Sequence, residues 1–168
     1  MEKSIARKKA LDVRKNEDNI KASNDVLEAI IKSKCLEKFN KIGIYYPIGK
    51  EINVTKLLDL FPDKSFYFPK TTDILEFIKC ECLNELIPGP FKTMEPTGVI
   101  TSRDEIQCFI IPCVAISFSK KRVGYGKGYY DKYLAKYKGY KIGVCYKSAY
   151  MDINTDDYDV EFDEIYLG

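Results

Sequence analysis

The chain has 168 residues and contains no histidine. This absence excludes Ser-His-Asp and Cys-His nucleophilic catalysis, histidine-ligated metals and an imidazole general base. The remaining chemistry depends on carboxylates, lysine, arginine, tyrosine and a hard cation. Phosphoryl transfer fits that list, because it relies chiefly on positioning and on the stabilisation of charge.

A long apolar run and an excess of one charge are also missing. No segment approaches the length of a membrane span, and the chain opens with charged residues, so we expect a cytoplasmic protein that does not bind membranes. The 27 Lys and Arg residues are nearly balanced by 25 Asp and Glu residues. A net charge of +2 argues against a nucleic-acid binder with a strongly basic face, so any cationic site must be local.

The six cysteines lack the spacing of a zinc site. Most lie in apolar runs, where a free cysteine behaves as a small hydrophobic residue, and the one close pair is Cys80-Glu-Cys82. Without C-x-x-C spacing or histidine, zinc is not expected. Apolar residues make up 45% of the chain and charged residues 31%, which indicates one globular domain.

The most informative stretch is Arg122-Val-Gly-Tyr-Gly-Lys-Gly-Tyr-Tyr-Asp-Lys-Tyr-Leu134. Gly124, Gly126 and Gly128 lack a Cβ, so the loop can adopt positive φ and bring its N–H groups close to a ligand. Arg122 and Lys127 add positive charge, and a helix N-terminus, which favours anions, is predicted directly afterwards. We interpret the segment as a phosphate-binding loop.

Two known phosphate-binding patterns do not describe this loop. No Ser or Thr follows Lys127, so it is not a Walker A loop, and the third glycine comes one residue too early for G-x-G-x-x-G. The alternative is a glycine-rich turn that only joins two elements.

Strand-like and helix-like segments alternate along the chain. This order predicts an α/β fold, a single domain with three α/β/α layers and an open, mainly parallel sheet. Helices are predicted over residues 2–18, from Asp25 along an apolar stripe that ends at Cys35, over 54–60 and over 129–137. Strands are predicted over residues 42–46, 66–68, 74–80, 108–116 and 142–146. Ligands bind beyond the carboxyl ends of such strands, so the glycine loop and residues 47–51 should meet at one edge.

The stretch from Arg122 to Leu134 resembles the G-x-G-x-G-Y-Y-D signature of the 5-formyltetrahydrofolate cyclo-ligase family, also called methenyltetrahydrofolate synthetase. Further segments follow in the order of that family: Lys3 with Arg7, Pro47-Ile-Gly-Lys-Glu51, Met94-Glu95-Pro96, Ile110-Ile111-Pro112 and Tyr158-Asp159. The resemblance therefore spans the chain. It departs from the family at Tyr158, which replaces a histidine, at Ile116-Ser117 and at Val54. These departures concern the fine-tuning of substrate binding, because none removes a charge assigned to phosphates or magnesium.

The resemblance implies an enzyme that converts 5-formyltetrahydrofolate, with or without a polyglutamate tail, to 5,10-methenyltetrahydrofolate with ATP and Mg²⁺. Arg122 and Lys127 would be catalytic. The implied nucleotide-binding residues are Lys3, Arg7, Arg122, Gly124, Tyr125, Gly126, Lys127, Gly128, Tyr129 and Tyr130. Glu51, Tyr129 and Tyr130 would bind the folate, and Asp131 and Asp159 would bind Mg²⁺.

Several of these residues have a plainer interpretation. Lys3 and Arg7 share one helix face as i and i+4, which is ordinary for surface cations. Asp131 could serve only to stabilise a helix N-terminus, and Glu95 could mark a turn. We expect Tyr133 and Tyr137 to pack in the core.

Two alternative functions also stay open at this stage. One is a sugar-phosphate isomerase or acyl-transfer relative that uses the glycine loop for a substrate phosphate. The other is a non-catalytic module that binds nucleotide or single-stranded RNA.

Overall fold

The computed structural model describes residues 1–168. Its helices are α1 (Lys3–Arg14), α2 (Asn19–Ser33), α3 (Leu57–Leu60) and α4 (Tyr129–Tyr133). The first six strands are β1 (Lys41–Gly43), β2 (Ser65–Thr71), β3 (Leu75–Lys79), β4 (Ile87–Pro88), β5 (Met94–Glu95) and β6 (Ile100–Thr101). The other six are β7 (Cys108–Pro112), β8 (Ala115–Ser117), β9 (Arg122–Val123), β10 (Tyr140–Cys145), β11 (Tyr150–Met151) and β12 (Glu164–Leu167).

Seven strands form the main sheet in the order β12-β10-β7-β1-β2-β3-β6. The first five are mutually parallel, whereas β3 and β6 each run antiparallel to the preceding strand. A separate sheet has the order β11-β8-β9, and β4 pairs with β5. The buried apolar residues form one continuous core. The predicted single-domain α/β fold with a mainly parallel sheet is therefore confirmed.

Helical segments lie on both faces of the main sheet. Successive side chains of β7 point to opposite faces. The ring of Phe109 packs against Tyr133 of α4 and against Tyr137, with centroids 5.6 and 5.1 Å away. Cys108 lies on the other face, near Cys35, which follows α2. This arrangement gives the three α/β/α layers.

The predicted strand over residues 108–116 is wrong, because this run forms two strands in two sheets. Pro112 ends β7, and the N–H of Val114 then donates to the carbonyl oxygen of Val123 in β9 at 2.9 Å. Every residue from 108 to 117 is buried. The apolar run is therefore continuous although the sheet changes, which is why the break left no mark in the hydrophobic pattern.

The helix boundaries also differ from the prediction. Helix α2 begins at Asn19 rather than near Asp25, because the Asp18 carboxylate caps it by accepting the N–H of Lys21 at 3.1 Å. Ile20 in its first turn is 75% exposed, so the apolar stripe starts one turn after the helix does. Helix α4 ends at Tyr133, four residues early. No helix combines the length and the apolar character of a membrane span.

Candidate active site

A cavity of about 320 Å³ opens at the carboxyl edge of the main sheet. Its walls come from the chain after β1, from the ends of β2 and β7, from β5 with the loop before it, and from the glycine loop, here residues 122–128. Of the predicted site residues, those lining it are Glu51, Arg122, Tyr125, Lys127, Gly128, Tyr129 and Tyr130. The glycine loop and the segment that carries Glu51 thus meet at one edge, as the parallel topology predicts.

The glycine loop leaves its main-chain donors free. Gly126 and Gly128 have φ of +103° and +71°, values that other residues rarely adopt. The N–H groups of residues 124–128 donate to no acceptor in the protein. Gly124 serves a different purpose, since a Cβ there would lie against the guanidinium of Arg122 and would displace it from its present position. The loop is therefore shaped to offer N–H donors to an anion.

The helix after this loop contributes less than the sequence predicts. Helix α4 has only five residues, so few peptide dipoles are aligned behind the loop. The positive potential must come chiefly from the loop N–H groups and from cationic side chains.

Arg122 and Lys127 place their charges at the cavity in different ways. The Nε of Arg122 donates to the carbonyl oxygen of Pro112 at 2.9 Å, and its guanidinium lies 4.5 Å from the centroid of the Tyr130 ring. This arginine is therefore fixed. Lys127 is exposed, and its Nζ lies 4.0 Å from the centroid of Phe91 at the mouth of the cavity. It is a movable point charge.

Helix α1 brings a third cation to the loop. Ala6 and Ala10 are buried on its inner face, and their small side chains let the helix approach closely. The Nε of Arg7 donates to the carbonyl oxygen of Gly124 at 2.7 Å, and its guanidinium lies 3.5 Å from the place where a Cβ on Gly126 would be. Arg7 is therefore part of the loop structure and not a plain surface cation.

Lys3, at the start of α1, is paired with carboxylates. Its Nζ lies 3.0 Å from both oxygens of Asp159 and also contacts Asp156. Burial alone lowers the pKa of this ammonium, but the hydrogen bonds to Asp156 and Asp159 outweigh that effect and raise it. The ion pair therefore persists at neutral pH.

The two predicted magnesium ligands converge on one short segment. Asp159 is buried and accepts the N–H of Asp156 at 2.7 Å, while Asp131 accepts the N–H of Val160 at 3.0 Å. No group of three or more His, Cys, Asp or Glu residues that could hold a metal ion is present. Two carboxylates nevertheless suit Mg²⁺, which commonly takes one or two of them together with phosphates and water.

Glu51 is a buried carboxylate with no ion pair. It is 5% exposed, and its Oε1 accepts the N–H of Ile48 at 2.8 Å. Burial raises the pKa of this carboxyl, against the opposing effects of the Ile48 hydrogen bond and of the charges on Arg14 and Arg122. Asn19 fixes the backbone here by donating to the carbonyl oxygen of Glu51 at 3.0 Å. The side chain is thus held at the cavity wall.

The tyrosine stripe divides between the cavity and the core. Tyr129 and Tyr130 line the cavity, whereas Tyr133 and Tyr137 pack against Phe109 as expected. Tyr158, which stands where the resembling family has histidine, is 70% exposed and does not line the cavity.

Sequence reasoning missed Arg14 and undervalued Glu95. Arg14 is buried at the end of α1, and the spacing Lys3, Arg7, Arg14 on one helix face is the signal that could have revealed it. Glu95 lines the cavity, is 6% exposed and accepts the N–H of Thr71 at 2.8 Å. Its burial depends on long-range packing, which a lone Glu-Pro pair does not reveal.

Comparison with known proteins agrees with this geometry. A sequence model of the 5-formyltetrahydrofolate cyclo-ligase family matches residues 3–168. A 5-formyltetrahydrofolate cyclo-ligase from Mycoplasma pneumoniae is 31% identical over an alignment of 182 positions, which covers 98% of each protein. One from Mycoplasma genitalium is 29% identical over 131 residues, covering 74% of this chain and 70% of the relative.

Two solved structures share the fold. The 5,10-methenyltetrahydrofolate synthetase of Aquifex aeolicus superposes with a TM-score of 0.86 at 29% identity, covering 99% of this chain and 90% of that one. The enzyme of the same name from Mycoplasma pneumoniae gives 0.82 at 25% identity, covering 99% and 98%.

We predict that Glu51→Gln stabilises the protein at neutral pH. Burial in the folded protein raises the pKa of Glu51. The stability that this carboxyl group contributes is therefore present below its unfolded-state pKa and is lost as the pH rises through its folded-state pKa. A glutamine keeps the oxygen that accepts from Ile48 and carries no charge. Thermal unfolding should therefore occur at a higher temperature in the variant at pH 7.5, with the gain shrinking as the pH falls toward about 4.

The control for this prediction is the exposed Glu37→Gln, which should unfold like the unaltered protein at both pH values. A Glu51→Gln protein that unfolds at a lower temperature at pH 7.5 would show that the carboxylate is a net stabiliser.

Proposed function

This chain belongs to the 5-formyltetrahydrofolate cyclo-ligase family, and on that premise we propose that it is an ATP-dependent enzyme that requires Mg²⁺. It converts 5-formyltetrahydrofolate to 5,10-methenyltetrahydrofolate and releases ADP and phosphate. The substrate carries one glutamate or a polyglutamate tail, and the reaction takes place in the cytoplasm. The observation that carries the proposal is the meeting of the glycine loop and Glu51 at one cavity, with Arg7 hydrogen-bonded to the main chain of that loop.

The proposed chemistry follows from the substrate. A formamide oxygen is a poor leaving group, so ring closure requires its conversion to a phosphate ester. The γ-phosphoryl group moves to the formyl oxygen and ADP leaves. The second nitrogen then attacks the formyl carbon, the carbon–oxygen bond breaks, phosphate departs, and the proton of that nitrogen passes to phosphate or solvent. No covalent bond to the protein is needed, so the protein positions the groups and offsets charge.

The cations of the cavity serve the phosphoryl group. Arg122 is held rigidly by Pro112, and a guanidinium can donate to two phosphate oxygens at once. Lys127 can follow the charge as it spreads over the transferring group. The free N–H groups of residues 124–128 and the guanidinium of Arg7 supply further donors for the nucleotide phosphates. Lys3 joins this set once phosphates compete with Asp159 for its ammonium.

Asp131 and Asp159 would hold Mg²⁺, which offsets phosphate charge when it is bound. Both carboxylates already have partners, so their present contacts fix their positions through Val160 and Asp156. With the metal bound, Asp159 would give up its contact with Lys3, and the ammonium would then be free to pair with the phosphates.

The folate would occupy the part of the cavity that Tyr129, Tyr130 and Glu51 line. Tyr129 and Tyr130 offer rings on which a flat pterin or aryl ring can stack. Glu51 faces the same space, and its negative charge offsets the positive iminium character that develops on ring closure. The two alternative functions have lost their support, because the family match extends over residues 3–168.

The direct test mixes the purified protein with 5-formyltetrahydrofolate, ATP and MgCl₂ and follows the absorbance of the methenyl product. Product should form only when all three are present, and ADP should appear in equal amount. Formation without ATP, or none across a range of pH and salt, would contradict the proposal.

We predict that Arg122→Ala and Lys127→Ala each lower kcat by about 10²–10³-fold, because each removes a charge aimed at the transferring phosphoryl group. Steady-state kinetics measure the loss, and circular dichroism verifies the fold. Lys138→Ala, an exposed lysine that does not line the cavity, is the control and should keep full activity. Turnover near that of the unaltered enzyme in both loop variants would remove these residues from the catalytic machinery.

We also predict that Gly126→Val abolishes measurable ATP binding. Its φ of +103° excludes a β-branched residue, and the added side chain would point toward the guanidinium of Arg7. Calorimetric titration with ATP provides the measurement. Gly98→Val is a matched control, since Gly98 has φ of +126° but does not line the cavity. If both variants bind ATP equally well, the loop is only a connection between elements.

A further inference from the structure

We propose that Arg14 is a positioning residue. It lies behind the cavity wall, where it holds Tyr125 of the glycine loop and the turn that carries Glu51. The inference rests on the proposed function for its kinetic consequences but on the structure alone for its contacts. Arg14 does not line the cavity and would touch neither substrate.

The contact with the glycine loop is direct. The Nη1 of Arg14 lies 3.2 Å from the hydroxyl oxygen of Tyr125 and donates to it, and this is the one side-chain hydrogen bond that Tyr125 makes. Tyr125 is 48% exposed and is followed by glycine, so little else restrains it. The other arginine of α1, Arg7, holds the same loop one residue earlier, at the carbonyl oxygen of Gly124.

The contact with the Glu51 turn passes through an aromatic ring. The guanidinium of Arg14 lies 5.9 Å from the ring centroid of Tyr146, within the range of cation–π attraction. The hydroxyl of Tyr146 donates to the carbonyl oxygen of Lys50 at 2.6 Å, directly before Glu51. Asn19 donates both to the Tyr146 hydroxyl, at 2.8 Å, and to the carbonyl oxygen of Glu51.

A buried guanidinium keeps its charge and must have its donors satisfied. Arg14 is 7% exposed, and its Nη2 donates to the carbonyl oxygen of Cys113 at 3.1 Å. None of its hydrogen-bond partners is a carboxylate, so its charge is not neutralised by an ion pair. The nearby Glu51 carboxylate therefore feels that charge across the wall of the cavity. Arg14 thus affects the glycine loop by a hydrogen bond and affects Glu51 by the electrostatic attraction of its charge.

The test uses Arg14→Met, Arg14→Lys, Tyr125→Phe and the double variant Arg14→Met/Tyr125→Phe. Arg103→Met is the matched control, because Arg103 also donates to main-chain carbonyl oxygens, those of Tyr133 and Ala135, but makes no hydrogen bond to the glycine loop or to the turn that carries Glu51. Arg14→Met should raise the KM for ATP and lower kcat/KM by about 10–100-fold, as a slight misplacement of reacting groups does. Arg103→Met should lose stability without that kinetic change.

Two comparisons separate positioning from general stability. If Arg14 acts through Tyr125, Tyr125→Phe should raise the KM for ATP in the unaltered protein and have little further effect in Arg14→Met. Arg14→Lys keeps the charge but not the two directed hydrogen bonds, so its KM for ATP should stay raised while its pH profile matches that of the unaltered enzyme.

The pH profile reports the field at Glu51. The charged groups that face this carboxylate are Arg14 and Arg122, and the neutral titratable groups around it are Tyr45, Tyr125, Tyr130 and Cys113. Because Arg14 lowers the pKa of Glu51, Arg14→Met should move the acid limb of kcat/KM to higher pH. Arg103→Met should leave that limb in place.

Trypsin cleavage after Lys127 gives a readout that does not depend on turnover. It should be about tenfold faster or more in Arg14→Met and in Tyr125→Phe, and unchanged in Arg103→Met. If the unaltered protein has no activity, the proposed function fails and the cleavage rates still decide the role of Arg14. Unchanged cleavage, additive effects of the two substitutions, or kinetics equal to those of the Arg103 variant would overturn the inference.

Discussion

The point on which the site depends is the end of β7, where the chain leaves one sheet and enters another. The carbonyl oxygens of Pro112 and Cys113 each accept from an arginine, the first from Arg122 and the second from Arg14. A charged donor satisfies a buried carbonyl more strongly than a neutral one does. Two adjacent main-chain acceptors therefore fix two cations that lie far apart in the sequence.

This arrangement explains why α1 belongs to the site. Its inner face pairs small residues with long cationic ones, so Ala6 and Ala10 permit close packing while Arg7 and Arg14 reach past them to the glycine loop and to β7. A larger residue at either alanine would push the helix outward. Both arginines would then lose their main-chain acceptors together, and the loop would lose the contacts that hold Gly124 and Tyr125.

The sequence predicted those parts that depend on local rules. The glycines at 124, 126 and 128 predicted an open loop, and the parallel strand order predicted that this loop lies beside Glu51. The split of the run at Pro112 and the burial of Glu95 could not be predicted, because each depends on contacts with other segments of the chain. The pattern of apolar residues indicates which segments are buried. Because the strands before and after Pro112 are both buried, that pattern does not show where one ends and the next begins.

Glu51 lies in surroundings that disfavour its charge. The cavity holds a buried carboxylate whose ionised form is disfavoured by burial and is favoured only by one N–H and by two arginines that make no ion pair with it. A carboxylate in such surroundings costs stability. On the mechanism that we propose, its negative charge would face the cation that forms on ring closure. The arginines set how strongly that charge is held. Arg122 does so from within the cavity wall and Arg14 from behind it. On the mechanism that we propose, Arg122 would also meet the phosphoryl group, whereas Arg14 would not.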